Sequence, residues 1–381
     1  MKETNKRKIA ISTWYMPSNY GTGLQALALA RYCELLGNKV YFVKDNRKKE
    51  EKNDGLNEQI QKVKKKLYKI ASGEWNAQRK KRVEIEVREN LQQQFINDYI
   101  SVFYLNTDDD VKKINEKMDV FVAGGDQIWN PYVLEDINLL SFTSRTAHKI
   151  SYGTSVGVAD IPEKYREIYI NNLSDFSKIS VREMQSKKAL QKFLDKKIEI
   201  VVDPTLLFDE KGWAFLLEKA KIDETYKSKK YILCYFVGNR KSYWKYVEKI
   251  KKETGLEVVY LPIRYEGFKN PHSLFVSASP AEFLWLIKNA EIICTDSFHA
   301  TLFSIQFQKE FYVLKRFKDT SQESQNGRLS NLLKTINLFD RMIQNENFYE
   351  RKSEIDYKPV MDKLEKERKF SQQWLQNALE I

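Results

Sequence analysis

The strongest constraint on this chain lies near its start, where an apolar, β-rich run at residues 8–15 (KIAISTWY) passes through a glycine-bearing turn, 17–23, into a helical pattern, Leu24 to Leu36. Gly37 closes that pattern, and a second apolar run, Val40 to Val43, follows at once. Strand, tight loop, helix and strand in this order form the opening of a parallel sheet, since parallel strands need a crossover. The alternation recurs. Residues 119–123, 148–157, 177–183 and 198–204 read as strands, with helical patterns near 163–174 and 187–194. It restarts at 231–238 and continues through 256–262, a helix after Ser279-Pro280, the strand 291–295, a helix to about Gln306, and the strand 311–315. A chain of 381 residues accommodates two such cores.

The expected architecture is therefore α/β, with two Rossmann-like domains facing a cleft: an N-terminal domain over 1–205, a C-terminal domain over 206–355, and a helix over 356–381 packing back on the first. Residues 45–115 are dense in charge and poor in glycine and proline, which predicts a helical insertion in the first domain.

No stretch approaches the roughly 18–20 apolar residues of a membrane-spanning helix, and the start does not have the pattern of a secretion signal. Cys33, Cys234 and Cys294 sit in apolar contexts without paired spacing, as expected of reduced thiols in a cytoplasmic protein. The net charge of +12 suits a lysine-rich surface or attraction to anions. Nucleic acid is excluded as a partner on the ground that no recognition motif accompanies the charge. The three scattered histidines and three cysteines make no local zinc site, so no metal is expected.

Four loops at strand ends could carry chemistry. In Asn19-Tyr20-Gly21-Thr22-Gly23, glycines at a helix N-terminus would let an anion approach the backbone. In Gly124 to Pro131, Asp126, Gln127, Trp129 and Asn130 offer a carboxylate, amides and an indole suited to a sugar. Arg182, in Ser180-Val181-Arg182-Glu183, could fork onto an anion or pair with an acid. The fourth is Asp296-Ser297-Phe298-His299, where Asp296 or Ser297 orients the histidine or caps the next helix. His148 precedes a strand and His272 lies in Asn270-Pro271-His272; His299 alone stands where an α/β sheet presents residues to ligands.

Six segments in order resemble the polysaccharide pyruvyl transferase family: 19–26, 125–131, 151–157, 180–183, 203–207 and 295–305, within a likeness running from about residue 9 to 340. The resemblance implies a GT-B-like fold and transfer of the enolpyruvyl part of phosphoenolpyruvate onto two sugar hydroxyls, with no cofactor or metal required. It implies as partner a glycan acceptor of a capsular, exopolysaccharide or cell-wall polymer, often lipid-linked. His299 is then the candidate acid and Asp126 a candidate base or acceptor ligand. The donor would lie among Arg182, Ser297, Lys315, Arg316, Arg328 and the Gly21-Thr22-Gly23 turn. The acceptor would meet Asn19, Tyr20, Gln127, Trp129 and Asn130. The family's Arg-Leu-His is replaced here by Ser297-Phe298-His299, which removes one anion-binding guanidinium. Two competing expectations follow: a glycosyltransferase of the same fold using a nucleotide sugar, and a non-enzymatic scaffold of polysaccharide assembly. The basic insertion also offers peripheral contact with the anionic inner face of a membrane.

Overall fold

The computed structural model describes residues 6–15, 19–47, 74–99, 101–263, 278–317, 326–346, 349–350 and 352–380. Pro17 and Ser18 of the first turn, residues 48–73 of the expected helical insertion, and His272 lie outside the described residues.

The first half is built on seven strands: β1 (Lys8–Ser12), β2 (Lys39–Asp45), β3 (Ser101–Leu105), β4 (Val120–Gly124), β5 (His148–Thr154), β6 (Lys178–Val181) and β7 (Ile198–Ile200). Their order is β3-β2-β1-β4-β5-β6-β7, and every pairing is parallel. β4 is buried along its whole length, as a central strand covered on both faces must be. The order reverses between β1 and β4. At such a switch point the connections leave in opposite directions and open a crevice at the carboxyl ends of the strands.

The second half repeats the device with β8 (Tyr231–Tyr235), β9 (Glu257–Tyr260), β10 (Ile292–Thr295) and β11 (Glu310–Val313), in the order β11-β10-β8-β9. All these pairings are parallel too, and the switch point falls between β8 and β10.

Helices α1 (Tyr20–Leu35), α2 (Glu74–Tyr99), α3 (Asp108–Lys117), α4 (Glu163–Leu173), α5 (Met184–Gln191), α6 (Lys241–Thr254), α7 (Pro280–Asn289), α8 (Phe298–Gln306), α9 (Asn326–Thr335) and α10 (Tyr357–Leu379) complete the layers. α1 is buried over nearly all its length. It packs against β2 on one side and against α7 and α8 of the second half on the other. Tyr20 marks that seam: its ring stacks on Phe283 at 4.9 Å and its hydroxyl donates to the Ala278 carbonyl at 2.7 Å. One continuous apolar core runs from Ile9 and Leu24 through to Ile293 and Phe303, so the halves share an interior.

One expectation is corrected. The segment 45–115 is not a purely helical insertion. Ser101–Leu105 is a strand that pairs with β2 from Tyr41↔Ser101 to Asp45↔Leu105, and Asp108–Lys117 is the crossover helix to β4. The strand escapes a periodicity reading because it is five residues long and lies on the sheet edge, where Ser101 and Tyr104 are exposed and only Leu105 is fully buried. α3 begins with a capping box, Thr107 and Asp110 bonding each other's backbone N–H. Helix α2 docks on the second half through buried Arg88, which donates to the carbonyls of Pro262 and Ile263.

α10 links both halves. Near its start the Tyr357 hydroxyl donates to Lys309 and Lys363 donates to Thr335; near its end the carbonyls of Asn377, Ala378 and Leu379 meet Lys178, His148 and Arg7. In between, Ser371 accepts from the Val202 backbone and Arg368 donates to Leu206.

Candidate active site

The two switch points open into one cavity of about 710 Å³. From the first half it is lined by Trp14 and Asn19 after β1, by Thr22 on α1, and by Asp126, Gln127, Asn130, Tyr132 and Val133 after β4. From the second half come Val237 after β8, Ser297, Phe298 and His299 after β10, Arg316 after β11, and Arg328 on α9.

Asp126 is placed by a strained turn. Gly125 and Asp126 have φ of 68° and 48°, a left-handed conformation uncommon for a residue with a side chain. A Cβ on Gly125 would lie 1.6 Å from the Gln25 amide oxygen, so only glycine fits. Gln25 in turn donates to Thr13 and to the Trp14 carbonyl, fixing the exit of β1. The Asp126 carboxylate accepts from Thr22 Oγ1 at 3.1 Å and from the Gln127 backbone at 2.9 Å, and lies 3.5 Å from an Arg182 nitrogen. Burial opposes its charge, but His299, Arg182 and Arg328 outweigh it and hold the carboxyl below the ordinary range.

His299 lies in the first turn of α8, 5% exposed. Its Nε2 stands 3.5 Å from Asp203 Oδ2. Asp203 is the partner the sequence reading left out of the site. Its Oδ1 accepts from the backbone and hydroxyl of Thr205, at 3.0 and 2.8 Å, and its Oδ2 accepts from Arg182 Nη1 at 2.7 Å. Burial pushes this carboxyl up, but His299, Arg182 and the Thr205 N–H pull it well below the usual carboxylate range. Arg182 therefore serves as a hub: it meets Asp203, Glu183 and Asp126, and its guanidinium carbon sits 4.3 Å over the Phe298 ring. Burial works against its charge, and the three carboxylates raise its pKa above the ordinary value.

The cations lining the cavity are Arg316 and Arg328. Arg316 donates to the Asp296 carbonyl at 3.0 Å. The guanidinium carbon of Arg328 lies 5.5 Å from the Phe298 ring centre, so Phe298 carries both Arg182 and Arg328. Burial first, and the neighbouring Arg182 second, push the Arg328 pKa down to about 9. A bound anion would relieve both penalties.

Asp296 and Ser297 have separate structural tasks. Asp296 accepts from the backbones of Val237 and Gly238 and from the Tyr243 hydroxyl, at 2.6, 2.7 and 2.9 Å, tying the β8 exit loop to β10. Ser297 is the N-cap of α8 and accepts from the Ala300 backbone.

Several sequence-predicted residues lie away from the cavity wall. Trp129 is fully buried, its indole N–H donating to Asn138 at 2.9 Å and its ring packed edge-on to Phe176. Among the aromatic residues that line the cavity, Tyr132 is 55% exposed. Tyr20 belongs to the seam between the halves. Gly21 and Gly23 lie within α1 rather than in an anion-binding loop, and the Gly21 N–H is taken by Asn19. Gly21 is needed for another reason: a Cβ there would stand 2.4 Å from the Cβ and Nδ1 of His299. The Lys315 carbonyl accepts from Arg240 and Tyr243, and the residue does not line the cavity. His148 bonds the Ala378 carbonyl. All three cysteines are buried. Among the described residues no three His, Cys, Asp or Glu side chains gather as a metal site, and no helix is long and apolar enough to cross a membrane.

Comparison with known proteins gives three results. Solved structures of similar shape include the UDP-GlcNAc 2-epimerase from Methanocaldococcus jannaschii (12% identical, covering 94% of this chain and 92% of that one, TM-score 0.47). They also include Arabidopsis thaliana UGT89C1 complexed with UDP-L-rhamnose (10% identical, 99% and 100% covered, TM-score 0.49) and the UDP-N-acetylglucosamine 2-epimerase from Rickettsia bellii (9% identical, 97% and 98% covered, TM-score 0.43). No curated protein matches the sequence. The model of the polysaccharide pyruvyl transferase family matches residues 19–316, a span that holds the second sheet, the first sheet apart from β1, and every cavity residue named above except Trp14 and Arg328. The chain belongs to the polysaccharide pyruvyl transferase family.

Proposed function

We propose that this transferase takes phosphoenolpyruvate as donor and a sugar with two hydroxyls as acceptor, and forms a pyruvate ketal with release of phosphate. The observation that carries the reading is a single cavity holding a histidine, an ionised carboxylate and two arginines. Enolpyruvyl transfer needs an acid for the methylene carbon and cations for the donor's phosphate and carboxylate. Arg316 and Arg328 supply the cations and His299 the proton. The proton joins C3 using the electron pair of the C2–C3 double bond, which leaves C2 electrophilic. One sugar hydroxyl adds to C2; the second then displaces the phosphate, with cleavage of the C2–O bond. Of the two hydroxyl protons released, one restores His299 and the other leaves on the phosphate. Asp126, ionised on the cavity wall, is placed to orient the first hydroxyl and take its proton in passing. Tyr132, exposed on the cavity wall, offers a ring face to the acceptor. An acceptor carried on a lipid diphosphate is part of the same proposal.

Calorimetry with phosphoenolpyruvate and with UDP-, GDP- and CMP-sugars, followed by phosphate release in the presence of candidate glycans, tests this reading. Binding of phosphoenolpyruvate, weakened in Arg328→Met, is expected. Binding of a nucleotide sugar with indifference to phosphoenolpyruvate would replace the donor. An unchanged biological role in His299→Ala would favour a scaffold.

A further inference from the structure

We propose that His299 works through Nδ1, with Asp203 acting as the positioning residue that ties down Nε2. The inference rests on the reading of His299 as the proton donor and adds which ring atom carries the proton.

Two independent features converge on it. Nε2 is sealed from solvent, makes no formed hydrogen bond among the described residues, and lies 3.5 Å from the Asp203 carboxylate, which is therefore the group placed to orient it. Asp203 is a fixed acceptor, since Thr205 holds Oδ1 and Arg182 holds Oδ2, and its carboxyl stays ionised. An ionised acceptor at Nε2 selects the tautomer with the proton on Nε2, and the other nitrogen becomes the working one. Gly21 lets the His299 ring seat closely against α1: a Cβ there would stand 2.4 Å from Nδ1 and from the His299 Cβ. His299 still lines the cavity, although its side chain is only 6% exposed. The carboxylates that interact with His299 are Asp203 and Asp126; both also interact with Arg182, and Asp126 with Arg328.

The same geometry separates two roles among the acids. Asp126 is on the cavity wall, where it can meet substrate, whereas Asp203 does not line the cavity and acts through the imidazole and through Arg182. Substituting Asp203 should therefore affect turnover and leave donor affinity largely alone.

The test is nitrogen-15 NMR of the full chain labelled at histidine. The chain has three histidines, and His299→Gln identifies the relevant signal. In the unsubstituted protein, neutral His299 is expected as the Nε2–H tautomer with a bare Nδ1; a bare Nε2 would overturn the proposal. In Asp203→Asn the tautomer preference is expected to disappear, kcat to fall on the order of 10- to 100-fold, and KM for phosphoenolpyruvate to stay within about threefold. An unaltered tautomer in that variant, or a loss confined to KM, would also overturn it. Absence of pyruvyl transfer with any acceptor would defeat the proposed function alone, because the tautomer is read without turnover.

Discussion

At the scale of single residues, the site depends on what is missing as much as on what is present. Gly21→Ala forces a methyl group against the stem of His299, whose Cβ is fixed to the backbone and cannot swing aside. Overpacking of this kind costs about 1–3 kcal/mol. We expect a matching fall in thermal midpoint and a larger fall in kcat, whereas Gly37→Ala, with nothing within 4 Å, leaves kcat unchanged. Under the proposed function, Arg328→Met would remove a charge-assisted contact to the donor, a loss of about 1.5–3 kcal/mol. It should raise the Kd for phosphoenolpyruvate about 10- to 100-fold in calorimetry. The carboxylates set the acid limit. Asp126 and Asp203 are held below the unfolded value of about 3.9. Their stabilisation is therefore complete above that pH and is lost as the pH falls through their folded values. The thermal midpoint should drop steeply below about pH 4, and Asp203→Asn should flatten that limb while lowering the midpoint at neutral pH. His299 was legible in the sequence because a strand end and a helix start bracket it. Asp203 was legible only as a chain break before Pro204, since nothing local links it to a histidine in the other half of the molecule. Tyr20 and Trp129 misled in the opposite way. An aromatic with a polar tip beside glycine suits a sugar, but it equally suits a core position with one main-chain carbonyl to satisfy, and the structure gives each of them that carbonyl.

At the scale of elements, the strand–helix alternation was readable wherever both faces of the sheet are covered, because such strands are uninterrupted apolar runs. β4 and β8 are buried throughout. β3 was not readable, since an edge strand buries only part of one face. The start of one helix after Ser279-Pro280 and the cap at Ser297 were legible because their chemistry is local; the structure adds that Ser279 and Glu282 form a capping box. Helix α10 gives the prediction proper to this scale. Leu375 is fully buried in the shared core, while Phe370 on the same helix is 51% exposed. Leu375→Ala should cost about 2–5 kcal/mol in urea denaturation. Phe370→Ser should stay within about 0.5 kcal/mol. Equal effects would mean that the helix is not seated as described.

At the scale of the whole molecule, two sheets with mirrored switch points supply one cavity, and neither half holds it alone. Their interior is continuous through α1, α7 and α8, with Arg88 of α2 and the length of α10 spanning both halves. We expect a single calorimetric unfolding transition that coincides with the loss of near-UV and far-UV dichroism; two resolved transitions would contradict a shared interior. The two-part architecture was legible from the restarted alternation, but the sharing was not, because a continuous core is made by long-range contacts that no local pattern records. The path of α10 also bears on the order in which the molecule is made. It follows both sheets in the chain, yet it supplies the Ser371 hydroxyl to the β7 exit at Val202 and covers His148 at the start of β5. A ribosome delivers this helix only after the second sheet has emerged. The first sheet is thus synthesised early and completed late, and a nascent chain halted before Tyr357 carries an uncovered apolar face that invites chaperone binding.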